Sequence, residues 1–561
     1  MRILIFFTVG LLLLTSVDSE YTCKVVEDAK PVDGIRSRNP PEIPFDGDKR
    51  LKFILVYDQK VQYGVAYDKI RHVMESATDF WSKALTVKFN NWEKLLVKRE
   101  CENGWLQLSR VEKLPVCRRS ECKEIKHCYG YPIPENFLSA CYYRKYAKNT
   151  LRYDEGTGVK PNELVLFITN VFDETCAEGA FAWATHCERD PQNHRPFMGR
   201  VNFCSEASSL KPIDDAYLTD IAKHEIGHVL GISPTLYSML PDLEPQFTIN
   251  NNPRPVQNVT REWLTPRRRF TVKKLVIRLP KMLEEARKHF GCYELDGIEL
   301  QNGHFSHRIL GNDLMTPHKM PASVVSRITL AYMEDTNMYS VDYSMADDLK
   351  WGKNLGCDFV MKTCYEFIRN RKSRRQDIQP FCDNPKKKSC VNYDNARGAC
   401  NIFKYDKPLP EEYQYMDDSF NVSAAERQYS GGWDLMDYCP FIDITGTRNS
   451  LPSVCRYPFP TQLDPNTNIF LEEMGPDSAC FDFNIWKYEF GFGFTGEAAC
   501  HRYKCSRRDG LQIIINNTPF VCPVAGGLQD IEITIGHRKI KAVVDCPRCS
   551  DLCKDECPWR S

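Results

Sequence analysis

The chain has no excess charge of either sign, with 74 basic residues against 74 acidic ones over 561 positions. That balance argues against nucleic acid as a partner, because a phosphate backbone is held by a net basic face. Basic clusters at 267–274, 369–375 and 386–388 read as solvated loops, or, for the first two, as proteolytic processing sites. Long apolar runs are also missing. Residues 3–17, I-L-I-F-F-T-V-G-L-L-L-L-T-S-V, come nearest, and they are too few to cross a bilayer. They follow Arg2 and end at small residues, with Val17 and Ser19 at positions minus three and minus one of a cleavage site, so residues 1–19 read as a secretory signal peptide. The C-terminal K-D-E-C-P-W-R-S lacks the apolar tail of a lipid-anchor signal, and no internal repeat marks a solenoid. The expectation is a soluble, secreted, extracellular protein with no membrane span once the signal is removed.

Cysteine is plentiful. Twenty-five in one chain suit an oxidising compartment, where disulfides persist. The count is odd. If Cys23, just past the expected signal cleavage, stands apart, the other 24 can form up to twelve bridges. The close spacing of Cys546, Cys549, Cys553 and Cys557 would suggest structural zinc in a cytosolic protein and suggests disulfides in a secreted one. N-x-S/T sequons at Asn258, Asn421 and Asn516 lie in polar or turn-like surroundings and are candidate glycosylation sites.

One stretch carries the chemistry: A-K-H-E-I-G-H-V-L-G-I-S over residues 222–233. Leu218, Ile221, Ala222, Ile226, Val229 and Leu230 recur at helical spacing and would bury one face. Asp214 and Asp215 suit the start of that helix, and Gly231 suits its end in a left-handed conformation. On such a helix His224 and His228 lie one turn apart and can face one ion. A catalytic zinc takes three protein ligands and keeps a fourth position open for water. Glu225, directly after the first histidine, is placed to take that water's proton. The bland alternative is an ordinary helix that happens to hold two histidines and a glutamate.

A third ligand is needed. The compact metzincin pattern would put a histidine three residues after the glycine, where this chain has Pro234, which cannot bind a metal. Glu244 is the nearest glutamate, but prolines break its surroundings, P-D-L-E-P-Q. Further on, G-H-F-S-H-R-I-L-G-N-D-L-M-T-P over 303–317 offers His304 and His307, and both qualify on chemistry alone.

Here the sequence resembles the leishmanolysin family, metzincins whose zinc motif is split by a long insertion. In that family the third histidine precedes an aromatic residue and a run resembling R-L-L-x-N-E-L-M-T. Aligning 308–316 on that run implies His304 as the third zinc ligand and Met315 as the methionine of the turn beneath the metal. His307 falls at a variable position and reads as a solvated histidine or one just outside the ligand set. Further likeness lies at 176–187, 199–204, 286–300, 340–357 and 433–441, spanning roughly 170 to 445. Leishmanolysins carry a propeptide cysteine that caps the zinc, and Cys23 is a candidate for that role, beside an ordinary disulfide or an unpaired thiol.

The implied fold is α+β: a zincin-like (metzincin) catalytic domain with a split zinc site, followed by a disulfide-rich C-terminal domain. Buried strands at 50–58 and 163–170 flank an amphipathic helix at 67–85, and the segment 179–186 alternates like a strand that would bind substrate backbone by β-addition. The expected divisions are 1–19 signal, 20–49 short pro-segment or linker, 50–234 N-terminal subdomain with the active-site helix, 235–350 insert with third ligand and methionine turn, and 351–561 cysteine-rich region. The insert is rich in proline and polar residues at first, with one helix at 280–290. The expected activity is zinc-dependent hydrolysis of extracellular proteins or peptides, using one catalytic zinc ion. The competing reading from another class is a catalytically retired binding or adhesion protein on the same scaffold. A weaker alternative keeps the enzyme but makes Glu244 the third ligand.

Overall fold

Three long β-strands, Glu163–Thr169, Ala182–Arg189 and Pro196–Phe203, are buried along nearly their whole length. Strands covered on both faces read as continuous apolar runs. With Lys52–Tyr57 and Val32–Asp33 they form a five-stranded sheet. Glu163–Thr169 lies parallel to Lys52–Tyr57 on one side and to Pro196–Phe203 on the other. Ala182–Arg189 runs antiparallel to Pro196–Phe203, and its far end, Glu188–Arg189, is met by the parallel pair Val32–Asp33. This computed structural model describes residues 49–558 and the backbone of 32–33 and 35–36. It leaves out 89–93, 105, 109–113, 146–147, 178–179, 205–209, 211–212, 249–250, 318–322, 392–394, 419, 421–426, 445–453, 457–467, 490, 492 and 537. The expected signal peptide, Cys23, Asn421 and most of the 20–49 segment lie outside the described residues.

Two layers cover the sheet. On one face Leu95, Val97, Phe137 and Leu138 pack against Val165, Phe167, Phe197 and Met198. On the other lie the helices Tyr67–Ala84 and Asp215–Leu230, in a core that also takes Ala182, Ala184, Val201 and Phe203. Ile70, Val73, Ala77 and Trp81 point inward from the first helix, as its spacing predicts. Trp81 also donates its indole N–H to the Lys223 carbonyl at 3.0 Å, tying the two helices together.

The insert is more ordered than its composition suggests. Val256–Leu264 and Arg269–Ile277, each nine residues long, form an antiparallel hairpin. The helix Pro280–Phe290 follows, and Ile298–Gln301 and His304–Phe305 extend the sheet. The basic cluster at 267–274 is therefore a turn and strand whose Arg267, Arg268, Arg269 and Lys273 are exposed, as a solvated segment would be, while Lys274 is not. Lys274 is bound to Asp437 at 2.8 Å because its side chain lies on the half-buried face of the hairpin. Asn258 is exposed on the outer face and pairs across the hairpin with exposed Leu275.

The largest apolar core draws residues from Leu51 to Val454, apart from the cluster on the other face of the sheet, and another, from Ala479 to Cys553, lies within a six-stranded antiparallel sheet. Twelve disulfides join 24 cysteines, among them Cys292–Cys357, Cys364–Cys439 and Cys390–Cys480. The closely spaced C-terminal cysteines are all bridged, through Cys522–Cys546, Cys505–Cys553 and Cys549–Cys557. Every cysteine but Cys23 is accounted for. Asn516 is exposed in the turn of a hairpin, where it and Asn517 both adopt left-handed conformations (φ 47° and 60°).

Candidate metal centre

The helix Asp215–Leu230 begins where the Asp214 carboxylate accepts the free N–H groups of Ala216 (2.9 Å) and Tyr217 (3.1 Å). An aspartate cap satisfies donors that the helix itself leaves unpaired. Gly231 ends the helix, but not in the expected left-handed conformation: its φ is 162°. The terminal carbonyls are taken from outside instead, with Tyr339 donating to Leu230 O (3.1 Å) and Tyr332 to Gly231 O (2.8 Å).

His304 reaches the helix through a tight hairpin. Gln301 pairs with His304 across Asn302 and Gly303, whose φ values of 50° and 77° belong to a two-residue turn that Asn-Gly favours. Tyr237 fixes this turn by donating its hydroxyl to Gly303 O at 2.9 Å. Asn302, Gly303 and the tyrosines were not singled out from sequence. The Asn-Gly pair after an apolar strand was a usable signal for the turn, whereas each helix-capping tyrosine lies more than 100 residues from its acceptor.

The structure brings His224, His228 and His304 together, each almost wholly buried. Their Nε2 atoms are 3.0 Å apart for His224 and His228, and 3.1 Å apart for His228 and His304. Each Nδ1 lies against a backbone carbonyl: Leu314 O at 2.5 Å for His224, Ile232 O at 2.6 Å for His228 and Asn302 O at 2.7 Å for His304. A carbonyl oxygen only accepts, so each Nδ1 carries the proton and each neutral ring turns an Nε2 lone pair inward. Three converging lone pairs repel one another and suit a cation. Zinc bound at about 2.0–2.1 Å in tetrahedral geometry sets its nitrogens about 3.3 Å apart, close to the spacing seen.

Glu225 is also buried, beside His224 on the same helix. Met315 lies directly under the helix: a Cβ on Gly227 would sit 2.7 Å from its sulfur and 3.1 Å from its methyl carbon. Glu244 is not part of the cluster. It is exposed at the start of a 3-10 turn, bonded to Gln246. His307 is fully buried, not solvated, because the short helix that it begins faces inward and packs its ring 5.6 Å from that of Trp433.

The leishmanolysin family model matches residues 152–558. The chain belongs to the leishmanolysin family. Members are zinc metallopeptidases, and this chain is accordingly a metallopeptidase with proteins as substrates. It is 30% identical to the leishmanolysin-like peptidase of Drosophila pseudoobscura pseudoobscura, over 90% of this chain and 80% of that protein. A leishmanolysin-like peptidase of Caenorhabditis elegans is also 30% identical, over 93% and 86%. Leishmanolysin of Leishmania tropica is 27% identical over a shorter span, 51% of this chain and 39% of that protein. No described helix is long and apolar enough to cross a membrane.

Proposed function

We propose that this leishmanolysin-family chain is a secreted endopeptidase with a metzincin-type split site, in which His224, His228 and His304 hold one zinc ion and Glu225 is the general base. The observation that carries this reading is the convergence of three Nε2 atoms whose Nδ1 partners are all carbonyls. A zinc ion held there supplies Lewis acidity, polarising a scissile carbonyl and making water easier to deprotonate. Glu225 takes the water's proton and passes it to the leaving amine. The strand Ala182–Arg189 offers backbone groups to an extended substrate by β-addition over the part of its outer edge before Glu188. Met315 supports the helix from below by packing, not by bonding the ion.

Secretion rests on the leader-like residues 1–19 and on twelve disulfides, which persist in an oxidising compartment. Asn258 and Asn516, both exposed, are proposed glycan acceptors.

The test is Glu225→Ala in the purified full chain, with zinc content and cleavage of an unfolded protein measured together. The expected result is retained zinc and cleavage reduced by at least about a thousandfold, as for loss of a group central to the chemistry. Full proteolysis by this variant would sink the assignment. For the third ligand, His304→Ala should lose zinc while exposed Glu244→Gln keeps it, and the reverse would move the ligand to Glu244.

A further inference from the structure

Asp313 is a carboxylate with almost no exposure, in the turn between the third histidine and Met315. Its side chain accepts the Met315 backbone N–H at 2.9 Å and the Thr329 hydroxyl at 2.8 and 2.9 Å, and the Ser326 N–H lies at 3.4 Å. A carboxylate left unpaired at this depth would be strongly destabilising, so these donors are what allow it to be there. Its backbone belongs to the same turn, with N–H to Leu310 O at 2.9 Å and C=O from Thr316 N–H at 3.2 Å.

The turn that Asp313 holds touches all three histidine positions. Leu314 O receives the Nδ1 proton of His224 at 2.5 Å. The Met315 side chain fills the space under Gly227, next to His228. Met315 O accepts the N–H of Phe305, the residue after His304, at 3.1 Å. Leu314 itself is fixed by its N–H to Val324 O at 2.7 Å.

We infer that Asp313 is a positioning residue of the metal centre: by gathering Met315, Thr329 and Ser326 it fixes the turn whose Leu314 carbonyl sets the tautomer and direction of His224. The inference rests on the zinc-site reading above and adds a residue outside the ligand set. A carbonyl behind a metal-binding imidazole fixes ring orientation and raises its basicity, and loss of such support commonly lowers metal affinity 10- to 100-fold. A merely structural role, tethering the turn to the helix Arg327–Asp335, predicts lower stability with an unaltered metal centre.

The experiment uses the full chain, stripped and reloaded with zinc or cobalt(II). Asp313→Asn keeps the size and one acceptor but turns an amide N–H₂ toward Ser326 N–H and Thr329. Zinc affinity is measured by competition with a chelator of known strength, and the visible absorption of the cobalt form reports ligand geometry. The expected result is at least about tenfold weaker zinc binding with a shifted cobalt spectrum. Thr329→Val, which keeps the carboxylate but removes one donor, should move both readings the same way by less. It also serves if Asp313→Asn does not fold. Wild-type affinity and spectrum in Asp313→Asn, or in Thr329→Val where only that variant folds, would overturn the inference. His224→Ala separates the two levels: if it binds cobalt with the wild-type spectrum, the ligand assignment fails and the inference falls with it.

Discussion

The guanidinium of Arg308, four residues after His304, donates through Nε to the Asp437 carboxylate at 3.0 Å across 129 residues of chain. Lys274 meets the same carboxylate at 2.8 Å, and Glu299 lies 3.4 Å from Arg308 and 3.6 Å from Lys274. Arg308 also donates to the carbonyls of Phe359 (3.1 Å) and Lys362 (3.3 Å). The insert hairpin, the third-histidine loop and the segment around 437 thus meet in one buried cluster of balanced charge. Asp437 has a left-handed backbone (φ 51°), which aspartate and asparagine tolerate better than most residues. Asp437→Asn therefore keeps the backbone and removes only the charge. It should destabilise the fold by about 2–3 kcal/mol, somewhat below the usual penalty for breaking a buried pair because Glu299 remains. Urea unfolding checks this, and an unchanged midpoint would mean that the cluster contributes nothing.

Gly227 and Met315 make a second test. Alanine at 227 favours the helix by up to about 1 kcal/mol, but its Cβ meets a fully buried thioether at 2.7 Å. Overpacking of that kind costs about 1–3 kcal/mol, so Gly227→Ala should lower stability and weaken zinc binding. In a double-mutant cycle with Met315→Ala, the pair should be less destabilised than the sum of the single changes. Simple additivity would show that the two do not press on each other.

Acid should stabilise one part of the molecule. Burial raises the Asp335 carboxyl above its ordinary 3.8, to about 6, with the Met282 N–H that it accepts at 2.9 Å opposing the shift. Above about pH 6 the folded state must hold a charge that the unfolded chain holds more easily, and below about pH 4 both states are protonated. The resulting penalty is therefore present at neutral pH and disappears as pH falls from 6 to 4, and after discounting for partial exposure it is on the order of 2 kcal/mol. Asp335→Asn should melt above the wild type at pH 7.5 and level with it at pH 4. Equal melting at both would rule the penalty out.

What sequence made legible was what local pattern encodes. The spacing of Ile70, Val73 and Ala77 marks a helix that forms at Tyr67–Ala84, and Asp214 marks the start of the helix that carries His224 and His228. The hairpin at 256–277 escaped because its inward face holds Arg261 beside Val259 and Trp263. A buried arginine is tolerable only because Asp296, far along the chain, pairs with it. The burial of His307 was not legible for the same reason, since it depends on Trp433. The end of the helix that carries His224 and His228 was legible at Gly231, but the partners of its last carbonyls, Tyr332 and Tyr339, were not, because no pattern near Gly231 announces them.

His228 and His304 stand 76 residues apart in sequence with their Nε2 atoms 3.1 Å apart. An ion gripped by both is a clasp on a long loop, and cross-linking a loop of that length removes about 4–5 kcal/mol of unfolded-chain entropy. A chelator would then be a mechanical reagent as well as an inhibitor. It would remove one fastening from the stretch between the two histidines, which the Lys274–Asp437 pair and the Cys292–Cys357 bridge would still hold.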